Sequence, residues 1–176
     1  MTLWRVRATI DDRPGFLSVL AASLALRKVN ILSVEVHTTS AGAVDDFLVE
    51  TPEGMTEADL VEAVVKGRGR DPWVAPADER VLLDEPTRVL ALATTVVADP
   101  AALEEVLASL LGECAITWRP ESGTAKDGYT SADMQLLDPA GGVILIHRVA
   151  PAFTPAEYAR AQALVNLARL RSRTTS

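Results

Sequence analysis

The sequence predicts an α+β fold with two modules, in each of which an antiparallel sheet carries helices on one face. Three observations lead to this prediction. Segments with the two-residue period of a strand alternate with segments that have the longer period of a helix. Each predicted strand is apolar on one face only, which is typical of antiparallel sheets. A similar alternation recurs in the second half of the chain.

The composition is typical of a soluble globular protein. Of the 176 residues, 48% are hydrophobic and 23% are charged, and the formal net charge is -7. Nucleic-acid phosphates require a basic face, so we expect no nucleic-acid partner. No apolar segment reaches membrane-spanning length, and the N-terminus lacks the features of a signal peptide. We therefore expect a cytoplasmic protein without membrane contact.

A turn joins the first predicted strand to the first predicted helix. The strand has apolar residues at every second position: Trp4, Val6, Ala8 and Ile10. The helix has apolar residues three and four apart: Leu17, Leu20, Ala21 and Leu24. Between them, Pro14 fixes φ near the helical value, and Gly15 lets another molecule approach the backbone. We expect the free amides of this turn to point outward.

The remaining elements of the first half follow in the order strand, strand, helix, strand. The second strand alternates Leu32, Val34 and Val36 with polar residues, and the third alternates Asp45, Phe47 and Val49 with their neighbours. A capping box of Thr56 and Asp59 opens a second helix, which ends near Gly67. Trp73 to Ala75 supplies a short fourth strand. The predicted order is βαββαβ.

This first half resembles the ACT domain, a small regulatory ligand-binding module. The resemblance covers roughly residues 3 to 80 and rests on three motifs. They are the turn Asp12-Arg13-Pro14-Gly15-Phe16-Leu17, the pair Asn30-Ile31 that begins the second strand, and Asp45, Phe47 and Val49 in the third. The resemblance implies a ferredoxin-like module.

Amino acids commonly bind ACT domains at the seam between two modules that pair into one continuous sheet. The resemblance therefore implies that Asp12 to Leu17 form one wall of a pocket, where amides near Gly15 and Phe16 receive a carboxylate. Asn30, followed by Ile31, would bond the ligand from the same or the neighbouring module. Some amino-acid-binding relatives have a polar contact at the position of Ile10, which implies a more apolar or differently held ligand here.

A boundary is predicted near Asp84, because the segment from Pro72 to Pro86 contains three prolines and two acidic pairs. The first module would span residues 1–84 and the second residues 85–176. The second half is predicted to begin with a strand over Arg88 to Ala98. A helix and three strands follow, and a capping box of Thr154 and Glu157 opens the last helix.

The second half, with a predicted order of β-α-β-β-β-α, is similar to a degenerate ACT-like module that lacks the Pro-Gly turn. An alternative remains open. Leu136 to Leu167, a hairpin that leads into a long helix, resembles the end of a GAF sensor domain, so the second half could be a GAF-like fragment.

Two adjacent carboxylates in the third strand suggest catalysis at first sight. Neighbouring strand residues point to opposite faces, so Asp45 and Asp46 cannot act as a paired acid and base. We expect Asp46 and Glu50 to be cross-strand partners of Arg5 and Arg7 on the open face.

No other pattern indicates chemistry. The single cysteine, Cys114, excludes an intrachain disulfide, and its apolar neighbours favour a buried structural thiol. His37 and His147 are too far apart in sequence to indicate a metal site. With no nucleophile beside a base and no nucleotide loop, we expect no enzyme, no cofactor and no metal.

The sequence therefore predicts a non-catalytic regulatory or sensor protein that binds a small ligand, an amino acid, at the first turn. The alternative is a ligand-independent interaction module that docks on a metabolic enzyme or a regulator. We expect a homodimer formed through the first module, or pairing of the two halves with each other. Either arrangement would cover an open sheet edge.

Overall fold

The computed structural model describes residues 1–39, 42–77, 85–120, 125–138 and 141–174, without the side chains of residues 85 and 171–174. The chain divides into two compact units, Met1–Leu83 (unit 1) and Asp84–Ser176 (unit 2). The predicted boundary residue, Asp84, lies outside the described residues. Each unit contains a four-stranded antiparallel sheet. The predicted α+β class with two antiparallel sheets is confirmed.

Unit 1 has the predicted order βαββαβ. Its elements are β1 (Thr2–Ile10), α1 (Phe16–Ala25), β2 (Asn30–Thr39), β3 (Gly42–Thr51), α2 (Glu57–Lys66) and β4 (Arg70–Pro76). The strands lie in the order β2-β3-β1-β4, so β2 and β4 form the two edges of the sheet. This is the arrangement of a ferredoxin-like module.

The core of unit 1 lies between one face of the sheet and the two helices. Its fully buried side chains include Val6, Leu20, Leu24, Phe47 and Leu60. The capping box of α2 is confirmed, since the Asp59 amide donates to Thr56 Oγ1 (3.3 Å) and the Thr56 amide donates to Asp59 Oδ2 (2.9 Å).

Unit 2 places three helices on one face of its sheet. Its elements are α3 (Glu85–Ala98), a 3-10 turn (Pro100–Ala102), α4 (Leu103–Leu111), β5 (Ala115–Arg119), β6 (Gly128–Tyr129), β7 (Asp133–Leu137), β8 (Val143–His147) and α5 (Pro155–Thr174). The strands lie in the order β5-β8-β7-β6. Its core includes Leu107, Met134, Leu136, Ile146 and Leu164. Across the described ranges, no helix has the length and apolarity needed to cross a membrane.

The predicted strand over Arg88 to Ala98 is wrong, because this segment forms most of helix α3. The run is apolar almost throughout, so its periodicity does not separate a buried strand from a helix. The side chains that pack on the core stand three and four residues apart: Val89, Leu92, Ala93 and Val96. The element order of unit 2 is therefore ααββββα, which differs from the predicted order.

The last helix is anchored by a buried ion pair. Arg148 donates from Nη1 and Nη2 to the two carboxylate oxygens of Glu157, each at 3.0 Å. Nη1 of Arg148 also donates to the carbonyl oxygen of Leu111 (2.8 Å) at the end of α4. Glu157 in turn accepts the amide of Thr154 (2.8 Å), which confirms the predicted capping box. Arg148, next to the end of β8, thus links the end of α4 to Glu157 in the first turn of α5.

Candidate functional site

The turn between β1 and α1 is exposed and leaves the helix without a side-chain cap. Asp12, Arg13, Pro14 and Gly15 all lie at the surface. Gly15 is the N-cap residue of α1 with φ 92° and ψ -15°, a left-handed conformation that favours glycine. No described side chain caps α1. The amides of the first turn therefore have no side-chain acceptor among the described residues, and those that also lack a backbone acceptor remain available to an anion.

The amide predicted at Phe16 is partly committed elsewhere, because it donates to the carbonyl oxygen of Arg13 at 3.3 Å. The first intrahelical bond runs from the Val19 amide to the Gly15 carbonyl. The amides of Leu17 and Ser18 thus precede the helical ladder and are the better anion donors. The side chains of Phe16 and Leu17 are half-buried and pack on the core of unit 1.

The space over Gly15 is open. A Cβ built on this residue would meet no described atom within 4 Å. A ligand or a second protein can therefore reach the backbone of the turn from outside. Glycine is also required here by its positive φ, so the conformation and the access depend on the same residue.

Asn30 and Ile31 lie at the opposite end of the sheet from the turn. Asn30, which is exposed, occupies the same row of the sheet as Leu3 at the start of β1. The turn follows Ile10 at the end of β1, seven residues farther along. At about 3.4 Å per residue the two rows are roughly 24 Å apart. Within one unit, Asn30 cannot reach a ligand bound at the turn.

The edge strand β2 presents apolar side chains to the outside. Val34 and Val36 lie opposite Phe47 and Asp45 of β3, on the sheet face that carries the helices. Nevertheless they are 41% and 51% exposed, and Leu32 beside them is 41% exposed. The helices therefore leave an apolar shelf along β2.

Asp45 is a buried carboxyl group at the inner side of this shelf. Its relative exposure is 0%, and neither carboxylate oxygen has a hydrogen-bond partner among the described residues. In the sheet it pairs with Ala8 and Val36, close to the end of β1 that leads into the turn. An unpartnered buried carboxyl group is unusual, because desolvation costs free energy that no bond offsets.

The electrostatics of Asp45 connect it with the turn. Burial, together with the negative charge of Asp12, raises the pKa of Asp45 from 3.8 to about 6. A cationic group placed beside Asp45 would oppose both effects.

Asp46, the next residue, lies in the opposite environment. Its Oδ2 accepts from Arg5 Nη2 at 2.9 Å and from Arg7 Nε at 3.0 Å, with Arg7 Nη2 also in contact. The predicted pairing of Asp46 with both arginines is confirmed. Glu50 lies opposite Leu3 of β1 on one side and opposite Asn30 of the edge strand β2 on the other.

Asp45 was not among the predicted site residues, although the sequence contained a signal. It shares the period-two positions of Phe47 and Val49, which are fully buried core residues. A carboxylate at such a position is rare unless it has a partner or a function. The same alternation excludes Asp45 and Asp46 as a paired acid and base.

Unit 2 has a cavity of about 520 Å³ on the sheet face opposite its helices. Thr117, Arg119, Gln135 and His147 are among its lining residues. Nδ1 of His147 lies 2.9 Å from Oδ1 of Asp133, which is also in the lining. The cavity is open, and the charged side chains among its described lining residues are exposed.

The surroundings of Cys114 disfavour a nucleophilic role. Burial raises the pKa of the Cys114 thiol, which disfavours the nucleophilic thiolate. Within the described ranges there is no group of three or more His, Cys, Asp or Glu residues that could hold a metal ion.

No protein-family model matches the sequence. Over 50 residues the chain is 46% identical to the bifunctional uridylyltransferase/uridylyl-removing enzyme of Rhodospirillum rubrum. That stretch is 28% of this chain and 5% of the enzyme, so the chain spans a small part of the curated relative that it matches.

Several solved structures are distantly similar. The ligand-free regulatory subunit of aspartate kinase from Thermus thermophilus aligns over 97% of this chain and 92% of its own, with 12% identity and a TM-score of 0.38. A protein of unknown function from Galdieria sulphuraria aligns over 96% and 92%, with 13% identity and a TM-score of 0.41. A formyltetrahydrofolate deformylase from Pseudomonas putida aligns over 43% and 28%, with 10% identity and a TM-score of 0.34. Likenesses at this level carry no argument about function.

Proposed function

We propose that this protein is a non-catalytic regulatory protein whose ACT-like unit 1 binds an amino acid at the turn from Asp12 to Leu17. The observation that carries the proposal is the position of the unpartnered, buried Asp45 near an exposed, uncapped helix N-terminus. Together they offer an acceptor for a cation and donors for a carboxylate. A zwitterion such as an amino acid carries both groups. The resemblance to ACT domains supports the same ligand class.

The site is completed by a second copy of unit 1. Strand β2 is an edge, and its apolar shelf is open to a partner. Two β2 strands that pair antiparallel about a two-fold axis would place the beginning of one beside the end of the other. Asn30 of each copy then lies near the turn of its neighbour, which removes the separation found within one unit. Ligand binding at this seam would favour one arrangement of the two copies over others.

Thermal unfolding with an excess of each common L-amino acid tests the proposal. A ligand that binds only the folded state stabilises it by about 2.7 kcal/mol at a hundredfold excess over its Kd. We expect at least one amino acid to raise the midpoint by several degrees. If none of them raises the midpoint, the proposal is wrong.

Two glycine variants provide the structural control. Gly15 and Gly54 both have positive φ, 92° and 81°, and a Cβ on either would meet no described atom within 4 Å. Gly15→Leu and Gly54→Leu should therefore cost similar backbone strain, about 1–2 kcal/mol. Only Gly15→Leu should abolish the amino-acid shift, because its side chain fills the space over the turn. An equal response of both variants would place the site elsewhere.

The alternative function is a ligand-independent module that docks on a metabolic enzyme or a regulator. The open edge of β2 favours it, because an edge strand pairs readily with another chain. Under this alternative, replacing Val34 with Lys would abolish copurification of a protein partner, and no amino acid would shift the wild-type midpoint. A shift with an amino acid distinguishes the sensor from the docking module.

A further inference from the structure

We propose that Asp45 accepts the primary ammonium group of the bound amino acid and that this contact makes binding dependent on proton release. The inference rests on the proposed function, since it assigns the contact for one end of the ligand. It also narrows the ligand class, because it requires a free amino group and excludes simple carboxylic acids.

The position of Asp45 supports this assignment. The side chain lies on the sheet face that carries the helices, like its neighbour two residues on, Phe47. It lies opposite the half-exposed Val36 at the shelf of β2 and near the end of β1. Asp45 is 0% exposed, so contact with the ligand requires the side chains that cover it along the shelf to move aside.

The state of Asp45 also supports it. Both oxygens lack hydrogen-bond partners among residues 1–39, 42–77 and the other described ranges. A primary ammonium group brings three donors and a full positive charge, so it satisfies the carboxylate and offsets its desolvation. A neutral ligand would leave the group unsatisfied and would bind no better to the ionised form.

No charged group among the described residues forms a hydrogen bond with Asp45. Arg7, on the neighbouring strand β1, lies on the opposite face of the sheet and pairs with Asp46. Glu35 and His37 of β2 alternate with Val36 and so lie on that opposite face as well. Asp12 has a negative charge like that of Asp45, so it opposes the ionisation of Asp45. An external cation is therefore the fitting partner.

Proton linkage follows from the ionisation of Asp45. Its pKa of about 6 leaves much of the carboxyl group protonated in weakly acidic solution. The ammonium group must then displace that proton to the solvent, which weakens apparent binding. Between pH 7 and pH 5 the ionised fraction falls about tenfold, so the wild-type Kd should rise about tenfold. The amino acid keeps its own charges across this range.

Isothermal titration tests the assignment with the L-amino acid that raises the wild-type midpoint most. Each titration is repeated at pH 5 and pH 7 and with the carboxylic acid that lacks only the amino group. Asp45→Asn should weaken binding of the amino acid at least tenfold at pH 7 and remove the pH dependence. Asp46→Asn, with its change on the opposite face, should keep both the affinity and the pH dependence. The des-amino acid should bind the wild type at least tenfold more weakly.

The outcomes separate the two proposals. If no amino acid binds the wild type, the proposed function and this inference both fail. If an amino acid binds, but Asp45→Asn binds it as tightly and with the same pH dependence, only this inference fails. A des-amino acid that binds as well as its parent would also overturn it. If Asp45→Asn weakens only self-association, the carboxyl group serves a second copy of the chain and the inference is wrong.

Discussion

Asp45 and Asp46 are consecutive residues of β3, but their side chains lie in opposite environments. Asp46 is held by Arg5 and Arg7, whereas Asp45 is fully buried without a hydrogen-bond partner in the described part of the chain. The alternation of side chains along a strand separates them, because one faces the open side of the sheet and the other faces the helices. The same charge therefore stabilises the fold at one position and opposes it at the next.

We expect Asp45→Asn to stabilise the unliganded protein and Asp46→Asn to destabilise it. At pH 8 the buried carboxylate is ionised and unpaired, so its removal should raise the free energy of unfolding by about 1–2 kcal/mol. The gain is partial because a buried amide also lacks partners. Asp46→Asn should lower the free energy of unfolding by a similar amount, because it removes the charge that pairs with Arg5 and Arg7. Urea denaturation measures both, and a destabilised Asp45→Asn would indicate that the carboxylate has a partner in solution.

The stabilising effect of Asp45→Asn should depend on pH. The pKa of Asp45 is raised from 3.8 to about 6 in the folded state, so the folded protein retains a proton that the unfolded chain has lost. Stability from this group is fully present below pH 4 and is lost as the pH rises through 6. The advantage of the variant over the wild type should thus grow by about 2–3 kcal/mol between pH 4 and pH 7.

Comparison with the variant isolates this effect. The pKa values of Asp59 and Glu62 are lowered, mainly by hydrogen bonds from Thr56 and Lys66 respectively, and these groups give the opposite trend with pH. Their contributions are common to both proteins and cancel in the difference. A difference that stays constant from pH 4 to pH 7 would mean that Asp45 titrates as an exposed carboxyl group.

Glu157→Gln should strongly destabilise unit 2. Arg148 is 4% exposed, and its guanidinium group meets the Glu157 carboxylate through two bonds of 3.0 Å. Loss of the carboxylate leaves a buried cation without a counter-charge, which costs about 3 kcal/mol. Glu62→Gln is the control, because Glu62 pairs with Lys66 and Arg27 at the surface of unit 1. Urea denaturation should show a much smaller loss for the control, and equal losses would contradict the role of the buried pair.

Unit 1 was predictable because its local signals agree with one another. The two-residue alternation predicts β1, and the Pro-Gly turn predicts where β1 ends and α1 begins. The Thr56–Asp59 capping box predicts the start of α2, and the structure contains all three. Helix α3 was not predictable in the same way. Its run of Val, Leu and Ala residues has too few polar positions to reveal a period, and only packing against the core shows which side chains are buried.

The candidate site was predictable as a turn but not as an assembly. The motif located Gly15 and its neighbours, and the structure places them at the surface as an uncapped helix start. The motif does not show how the strands run relative to one another. In the sheet, Asn30 lies at the end opposite to the turn. The burial of Asp45 without a partner likewise depends on β1 and β2, the strands on either side of β3, and cannot be read from the sequence of β3 alone.

Subunit mixing tests the central claim that the turn of one copy and Asn30 of another form one site. Gly15→Leu and Asn30→Ala should each bind the stabilising amino acid at least tenfold more weakly than the wild type. In a mixed dimer, the intact turn of one copy faces the intact Asn30 of the other, so one of its two sites is restored. After random exchange of subunits, about half of the dimers are mixed, and about a quarter of all sites are intact.

Isothermal titration of the mixture counts those sites. We predict wild-type affinity at about a quarter of the wild-type stoichiometry, where each variant alone shows none. Subunit exchange is verified separately with differently tagged copies. A fully exchanged mixture that binds no better than either variant alone would contradict a site shared between two copies.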